Sequence, residues 1–486
     1  MELSKAKKDV PQNMRGETKG HINETSRCEE DVSQDMTRNR VGRAASSLLP
    51  EAVWVRVMEL LALPDKYHMT ITCSLFNRLF YTPSLWRYAI LDCRATQAKT
   101  VMSSPILRLR QYSSVSRCRF SDQQTAMVQT FGRHIQHAKL LLPYGFTGLT
   151  EDAVHTVTNL LENGSLKSLY LDLNVQAQAL NKLLRRGRVL EHCGVRVVLD
   201  HLKKAVNLER LTIHSWCFPL VVTSESPQCD VVKVLTDGEL CCPLRSLSIA
   251  WRLSSAVRGS SHGLCHVDPA FKSPTTALKL VSKFQSLQHL ELLHVMISDE
   301  LFEELATAKS KCRAPLLTLS VVQRFSCRKK SPTLSPASWS LLTSACPRLD
   351  VTLDTDVRET APLAWILRQP CVPLTTLRLR RLRGHLVTEV LRQLLRFKPT
   401  LRALYCADTR IFNVEETESV VDSDYDAVLL NVVKQCSRIE DLVVPGVLFD
   451  DTVRRLKELE RNWRKFDVKT VRDTDGGFQT QSGGSV

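Results

Sequence analysis

A short aliphatic pattern, Leu-x-x-Leu-x-Leu, recurs through most of this 486-residue chain and limits the folds open to it. Clear copies start at Leu166, Leu208, Leu244, Leu287, Leu316, Leu374, Leu401 and Ile439, and weaker copies start at Ile135 and Leu349. Alternate residues of a strand point to the same face, so the pattern predicts a short strand with one buried side. A unit this small cannot bury its own apolar face, and successive units must therefore stack.

The segments between the predicted strands have the apolar spacing of amphipathic helices. Residues three and four apart are apolar in the ranges 153–161, 195–206, 277–284, 301–305, 339–346, 386–397, 425–436 and 453–463. Stretches rich in serine, glycine and proline, 215–242 and 252–274, predict loops inserted between units. Strand followed by helix, repeated along the chain, predicts an α/β solenoid.

A segment of different character, Leu49–Trp86, precedes the repeats. Leu49-Pro50 begins a predicted helix in which Val53, Val57 and Leu61 recur every four residues, so one face of that helix is apolar. Proline suits this position because the first helical turn has no use for its missing N–H. A second predicted helix carries the apolar residues of the range 69–80.

This segment resembles an F-box, the adaptor-binding module of substrate receptors in cullin-type ubiquitin ligases. The residues that match in register are Leu49, Pro50, Val57, Leu61, Asp65, Cys73, Pro83, Leu85 and Trp86. Lys66, Thr72 and Phe76 depart from the family, where an aliphatic residue, a valine and a tryptophan are usual. The alternative is an ordinary amphipathic helical bundle, since periodicity does not separate buried from partner-facing residues.

The F-box resemblance implies a small all-α domain of three helices that binds a Skp adaptor. The residues expected to contact the adaptor, by their position in the motif, are Leu49, Pro50, Val53, Val57, Leu61, Cys73, Leu85 and Trp86. Some of them must instead pack the F-box itself.

The strand-and-helix units resemble leucine-rich repeats. Cys436-x-x-Ile439-x-x-Leu442-x-Val444 is similar to the cysteine-containing repeat class, and Ile297-Ser298-Asp299 is similar to the turn that leads into the next helix. The resemblance implies a horseshoe or solenoid whose strands line the concave face.

On such a concave face a target protein would contact the outward strand residues. These are Tyr170, Thr212, Ser248, Glu291, Ser320, Arg378 and Tyr405. Arg378, Arg380, Arg381 and Arg383 could together meet an acidic or phosphorylated segment. The alternative for all of these residues is an ordinary solvated position.

Composition and motifs together predict the domain boundaries. Residues 1–45 are expected to form a disordered tail, 46–92 the F-box, 93–130 a helical linker, 131–470 the leucine-rich repeats and 471–486 a second disordered tail. The predicted fold class is thus α/β, a small three-helix F-box domain followed by a leucine-rich repeat horseshoe. The chain begins with polar residues and has no apolar run long enough to cross a bilayer, which predicts a cytoplasmic or nuclear protein without a membrane partner.

The net charge of +15 favours acidic partners, yet no aromatic platform accompanies the basic clusters, and nucleic acid is therefore an unlikely partner. The loops contain His262, Cys265 and His266 near other cysteines, but they lack the paired Cys-x-x-Cys elements of a zinc site. No metal and no cofactor are expected. There is also no phosphate-binding glycine loop, nucleophile elbow or metalloprotease helix, so the chain is not expected to be an enzyme and no catalytic residue is assigned.

The resemblances therefore predict the substrate-recognition subunit of an SCF (Skp-cullin-F-box) ubiquitin ligase. Its partners would be a Skp adaptor, a cullin held through that adaptor, and a target protein that the sequence does not identify. The alternative is a leucine-rich repeat scaffold that binds partners outside any ubiquitin ligase.

Overall fold

The computed structural model describes residues 49–61, 63–93, 124–142, 151–173, 198, 201–214, 235, 242–249, 274–307, 314–324, 334–356, 363–369, 371–380, 384–407, 423–459, 461–474 and 477–481. The predicted tail 1–45 and most of the predicted linker 93–130 lie outside these residues. Two compact units, Met1–Leu85 and Trp86–Val486, make up the chain. None of the helices in the described ranges is both long and apolar enough to cross a membrane.

The N-terminal unit contains three α-helices within its described residues: α1 (Glu51–Leu60), α2 (Leu63–Thr70) and α3 (Ser74–Phe80). The sequence predicts one helix over the range occupied by the end of α2 and the whole of α3, and this is wrong. Cys73 is extended, with φ −160° and ψ 162°, and so separates the two helices. The hydroxyls of Thr70 and Thr72 donate back to backbone carbonyls, which competes with continued helix.

Aromatic side chains join the helices of this unit. Trp54 of α1 meets Phe76 of α3 edge to face, with ring centroids 5.0 Å apart. Tyr67 of α2 lies against Phe80 of α3 at the same separation. Met58 is fully buried on the inner side of α1. A 3₁₀ turn, Pro83–Trp86, leads into the second unit.

The second unit is built on one 13-stranded sheet in which every strand lies beside its neighbours in sequence. The strands are β1 (Tyr88–Asp92), β2 (His137–Leu142), β3 (Ser168–Leu173), β4 (Arg210–His214), β5 (Ser246–Ser248), β6 (His289–Leu293), β7 (Thr318–Arg324), β8 (Asp350–Asp356), β9 (Leu374–Arg380), β10 (Ala403–Ala407), β11 (Asp441–Phe449), β12 (Lys465–Thr474) and β13 (Gly477–Gln481). The first twelve strands are parallel, and β13 pairs with β12 antiparallel. Sequential pairing of parallel strands is the topology of a solenoid.

Helices follow most of the strands, as the apolar periodicity predicts. They are α4 (Glu151–Glu162), α5 (Pro274–Lys283), α6 (Asp299–Ala306), α7 (Pro336–Ala345), α8 (Ala364–Leu367), α9 (Gly384–Leu394), α10 (Ser423–Gln435) and α11 (Asp450–Lys457). At the predicted turn into α6, the Ser298 hydroxyl accepts the Leu301 N–H and so caps the helix. Phe302 of α6 packs edge to face on Trp339 of α7, with centroids 4.6 Å apart, and both side chains are fully buried.

All the predicted strands are present, and their pattern leucines form the core. Leu171, Leu211, Leu292, Leu319 and Leu377 are at most 1% exposed. Strand and helix thus bury their apolar sides against each other, which gives the stacking that a single unit could not provide alone.

Strands β1, β12 and β13 are additional to the prediction. Strands β1 and β12 follow the same pattern with a tryptophan in the first position, as Trp86-x-x-Ala89-x-Leu91 and Trp463-x-x-Phe466-x-Val468. Strand β1 falls inside the range 46–92 predicted for the F-box, and it belongs to the second unit. Strands β12 and β13 also run into the range 471–486, where the sequence predicts a disordered tail.

One carbonyl before each of several strands accepts N–H groups from two consecutive residues of the next unit. Gln136 O accepts from Lys167 and Ser168, and the same arrangement recurs at Arg87, Lys167, Glu209, Arg245, Gln288, Arg402 and Glu440. The series changes at β8, where the Val351 N–H donates to Pro373 O. The register of β8 against β9 shifts at the same place, between Val351 and Thr352.

Candidate protein-interaction surfaces

Helix α1 exposes a row of apolar side chains. Leu49, just before the helix, is 45% exposed, and Val53, Val57 and Leu60 are 40%, 37% and 79% exposed. The helical period places residues four and seven positions apart on one face, so these residues form a single α1 apolar stripe. Pro50 is also exposed at the start of the helix. Leu60 is missing from the sequence prediction, although the spacing from Val53 and Val57 could have indicated it.

The remaining residues predicted to contact an adaptor are less accessible. Leu61 and Cys73 are half-buried. Leu85 and Trp86 are each 2% exposed, and Trp86 stacks on Phe131 with centroids 4.2 Å apart. Leu85 and Trp86 are therefore packing residues in this structure, while the α1 apolar stripe and Pro50 are accessible.

The residues that depart from the F-box pattern have distinct environments. Lys66 is buried, and this burial lowers the pKa of its ammonium group, an effect that Glu59 partly offsets. An aliphatic residue would occupy the same place without a desolvation cost. Phe76 is half-buried against Trp54, and Thr72 is exposed.

The second candidate surface is the outward side of the sheet. Tyr170, Thr212, Ser248, Glu291 and Ser320 are paired in register across β3 to β7. All of them are half-buried. The Ser248 hydroxyl donates to the Glu291 carboxylate at 3.1 Å. The structure thus brings these predicted target-binding residues into one row.

Arg378 and Tyr405 face each other on β9 and β10 but lie outside that row. Ser320 pairs with Thr352 of β8, and Thr352 pairs with Thr376 of β9, two residues before Arg378. The shift between β8 and β9 therefore moves Arg378 and Tyr405 one side-chain position further along their strands. Arg378 and Ser320 occupy the same place in the Leu-x-x-Leu-x-Leu pattern of their units, and the irregular pairing between β8 and β9 offsets them in the sheet.

Tyr405 is the centre of a charged group of side chains, which we name the Tyr405 cluster: Arg378, Tyr405, Asp441, Arg464 and Lys465. The Tyr405 hydroxyl donates to Asp441 Oδ2 at 2.5 Å, and Arg464 donates to both Asp441 oxygens at 2.8 and 2.6 Å. The guanidinium of Arg378 lies 5.1 Å from the Tyr405 ring centroid, and Lys465 Nζ lies 5.9 Å from it. Both distances are within the range of cation–π attraction.

Electrostatics within the cluster follow from these contacts. The hydrogen bonds from Arg464 lower the pKa of Asp441, a buried carboxylate that also accepts the Tyr405 hydroxyl. Burial and the bond to Asp441 raise the pKa of Tyr405. Both groups therefore keep one charge state, an ionised aspartate and a neutral tyrosine, through the physiological pH range.

Among the neighbouring arginines, Arg380 is already engaged. It meets Asp354 of β8 at 2.9 Å through both Nε and Nη2, and Asp354 is fully buried. Arg381 and Arg383 lie outside the described residues. Arg378 belongs to the same basic group that the sequence predicts to meet an acidic segment. It lies on the outward face and has no carboxylate partner among the described residues.

The described ranges contain no cluster of three or more histidine, cysteine or acidic side chains suited to a metal ion. His262, Cys265 and His266 lie outside those ranges, and the nearby Cys242, which lies within them, is buried. Burial raises the pKa of the Cys406 thiol to about 12 and that of Cys436 to about 11. Neither thiol is ionised near neutral pH, so neither has the character of a nucleophile.

Comparisons with known proteins give little further identification. No protein-family model matches the chain. Among solved structures, the chain is similar to the yeast complex of Rad7 and Elc1, at 13% sequence identity and a TM-score of 0.32, over 78% of this chain and 91% of that one. A TM-score this low does not establish a shared fold.

Proposed function

We propose that the chain is the substrate-recognition subunit of an SCF ubiquitin ligase. In this proposal α1, α2 and α3 form an F-box that binds a Skp adaptor, and the adaptor binds a cullin. The strand-and-helix units are leucine-rich repeats that bind the target. The whole chain then resembles F-box only protein 39. The segments Phe131–Ile135 and Ile297–Leu301, together with the F-box, support this resemblance.

The observation that carries the proposal is the α1 apolar stripe, because it begins at the Leu-Pro of the F-box motif. Four large aliphatic side chains on one helix face remain in contact with water, and their exposure costs free energy that a partner could recover. An amphipathic helix that presents such anchors is a common docking element. An ordinary helical bundle would turn these side chains inward.

The sheet supports the second half of the proposal. Its outward side offers a row of polar and aromatic residues on a rigid array of strands, which suits recognition of a protein surface. The chain itself supplies no catalytic group in this proposal. It increases the rate of ubiquitin transfer by holding the target close to the conjugating enzyme, which replaces a bimolecular encounter with an intramolecular one.

Affinity purification of the full chain from cells tests the proposal. We expect a Skp adaptor and a cullin to co-purify with the native chain, and we expect both to be lost with Val53→Asp combined with Val57→Asp. The half-exposed positions tolerate aspartate in the free protein, whereas docking would bury two unpaired carboxylates. Leu341→Asp, at another exposed apolar position, is the matched control and should keep both partners.

A repeat scaffold outside any ligase is the second candidate function, and a specific observation favours it. Lys66 places an ammonium group in a buried position where the F-box family has an aliphatic residue, which weakens the match in the helical unit. Recovery of other proteins without adaptor or cullin, by the native chain and the double variant alike, would support the scaffold and exclude the ligase subunit.

A further inference from the structure

The Tyr405 cluster and its neighbours contain an uneven pairing of charges. Each of the two buried carboxylates at this place already has a guanidinium partner: Arg464 donates to both oxygens of Asp441, and Arg380 Nη2 donates to one oxygen of Asp354. The bidentate pair of Arg464 with Asp441 satisfies both oxygens of that carboxylate. Asp441 therefore has little capacity left for another cation, and the charge of Asp354 is balanced by its ion pair with Arg380.

Arg378 and Lys465 have no hydrogen-bonded carboxylate partner among the described residues. No carboxylate among the described residues lies within ion-pair distance of either side chain. Both cations lie over the one Tyr405 ring, at 5.1 and 5.9 Å from its centroid. The Nε atom of Arg378 is also buried, with no hydrogen-bond acceptor in the described part of the chain. A buried donor without an acceptor costs free energy until a ligand supplies one.

We infer that Arg378, Tyr405 and Lys465 form the site at which the repeats bind an anionic side chain of the target protein, a carboxylate or a phosphorylated residue. The inference rests on the proposed function only in taking the outward face of the sheet as the target-binding surface. The guanidinium fork of Arg378 receives the anion oxygens, Lys465 adds a second positive charge, and the Tyr405 ring holds both cations in place.

The surrounding charges favour a protein segment over nucleic acid. Asp467 lies exposed on β12, two residues from Lys465 and on the same side of the strand. On the neighbouring strands, Asp354 lies opposite Arg378 and Asp441 lies opposite Lys465, so a carboxylate flanks each cation. A nucleic acid carries a phosphate on every nucleotide and would meet these carboxylates, whereas a peptide can place single anionic side chains between neutral ones. Within the described ranges, Tyr405 also has no second aromatic ring stacked on it, so the site does not offer a stacking series.

Peptide binding to the purified full chain tests the inference. Fluorescence anisotropy would compare three labelled peptides with the same backbone sequence, one with glutamates, one with phosphoserines and one with glutamines in their place. We expect the glutamate or the phosphoserine peptide to bind and the glutamine peptide not to bind. The stronger of the first two identifies the anion as carboxylate or phosphate.

Single-residue variants then locate the site. Arg378→Gln and Lys465→Gln should each weaken binding of the charged peptide about tenfold, the usual size of a lost charge-assisted hydrogen bond. Arg378→Lys keeps the charge without the fork and should give an intermediate loss. Arg396→Gln is the matched control, because this exposed arginine lies in the 3₁₀ turn Leu395–Phe397, away from the outward face.

Three results would overturn the inference. The first is equal binding of charged and neutral peptides, and the second is an equal loss of peptide affinity in Arg396→Gln and Arg378→Gln. The third is displacement of the peptide by generic duplex DNA to the same extent from the native chain and from Arg378→Gln. Thermal melting of each variant shows whether a loss reflects unfolding, and Lys465, which is exposed, provides a site where folding should not change. The assay contains no adaptor. Its failure with normal adaptor binding rejects this site alone, and its success without adaptor binding rejects the ligase proposal alone.

Discussion

Leu60→Ala separates an adaptor-binding α1 from a helix that only packs. Leucine to alanine removes three carbon atoms, each worth about 0.8 kcal/mol when it moves from water to an apolar interior. Because Leu60 is 79% exposed, most of this transfer would occur only on docking. The substitution should therefore weaken adaptor binding by about 2 kcal/mol, roughly 30-fold in Kd, while the N-terminal unit loses only about 0.5 kcal/mol of stability.

Titration calorimetry with a purified Skp adaptor measures the first quantity, and urea denaturation measures the second. Met58→Ala should give the opposite result, because this side chain is fully buried on the inner face of the same helix. It should lower the free energy of unfolding by about 2–5 kcal/mol. Leu341→Ala, a leucine that is 47% exposed on α7, controls for the loss of any exposed leucine and should leave adaptor affinity unchanged.

Unchanged affinity in Leu60→Ala would refute the assignment of the α1 apolar stripe as the docking face. So would an equal loss in Leu341→Ala, because the effect would then not depend on position. A large loss of stability in Leu60→Ala would show instead that the side chain is covered within the chain.

Three further substitutions test the packing and the electrostatics. Lys66→Leu should stabilise the N-terminal unit by about 1 kcal/mol at neutral pH. Because burial lowers the pKa of Lys66 in the folded state, the wild-type lysine loses its charge and its desolvation cost as pH rises toward the ordinary lysine value of 10.5. The stability gain of the variant should therefore shrink over this pH range, as measured by urea denaturation. Asp441→Asn should destabilise the C-terminal end of the sheet above about pH 4 and have little effect in strong acid, since the lowered pKa means that the Arg464 pair stabilises the fold until the carboxylate is protonated, and acid unfolding followed by circular dichroism measures this. Trp339→Ala should cost about 3–5 kcal/mol in urea denaturation and Trp339→Phe clearly less, because the buried ring packs on Phe302; similar small losses for both would contradict that packing.

The strands of the second unit were predictable because the local sequence of each strand shows which of its side chains are buried. The aliphatic residues Leu208, Leu211 and Ile213 indicate both the strand period and the buried face, without reference to the rest of the chain. Strands β1 and β12 were missed because Trp86 and Trp463 replace the first leucine, and Ala89 and Phe466 replace the second. A pattern that accepts any apolar residue would have included both.

The register of β9 could not be predicted in the same way. The pattern at Leu374, Leu377 and Leu379 fixes which side chains are buried but not which residue of β8 lies opposite. That choice depends on the irregular pairing at Val351, where the N–H donates to Pro373. Arg378 was thus correctly predicted to face outward, while its neighbours, and hence the Tyr405 cluster, became visible only in three dimensions.

For the N-terminal helical unit, periodicity predicted the apolar face of α1 but assigned Leu61 to it in place of Leu60. The difference is one residue in a period of 3.6, and it decides whether a side chain meets water or the helices behind it. The break at Cys73 was also hidden, because apolar residues continue on both sides of it.

Because each strand pairs only with its neighbours in sequence, binding on the outward side of the sheet can be divided among separate, independent sites. Tyr170 on β3 and Tyr405 on β10 have six strands between them and no shared neighbour. Energetic effects of substitutions at two such sites add, because neither changes the surroundings of the other. A long target segment could therefore lose contact at one end and stay bound at the other, and its affinity could be adjusted one repeat at a time.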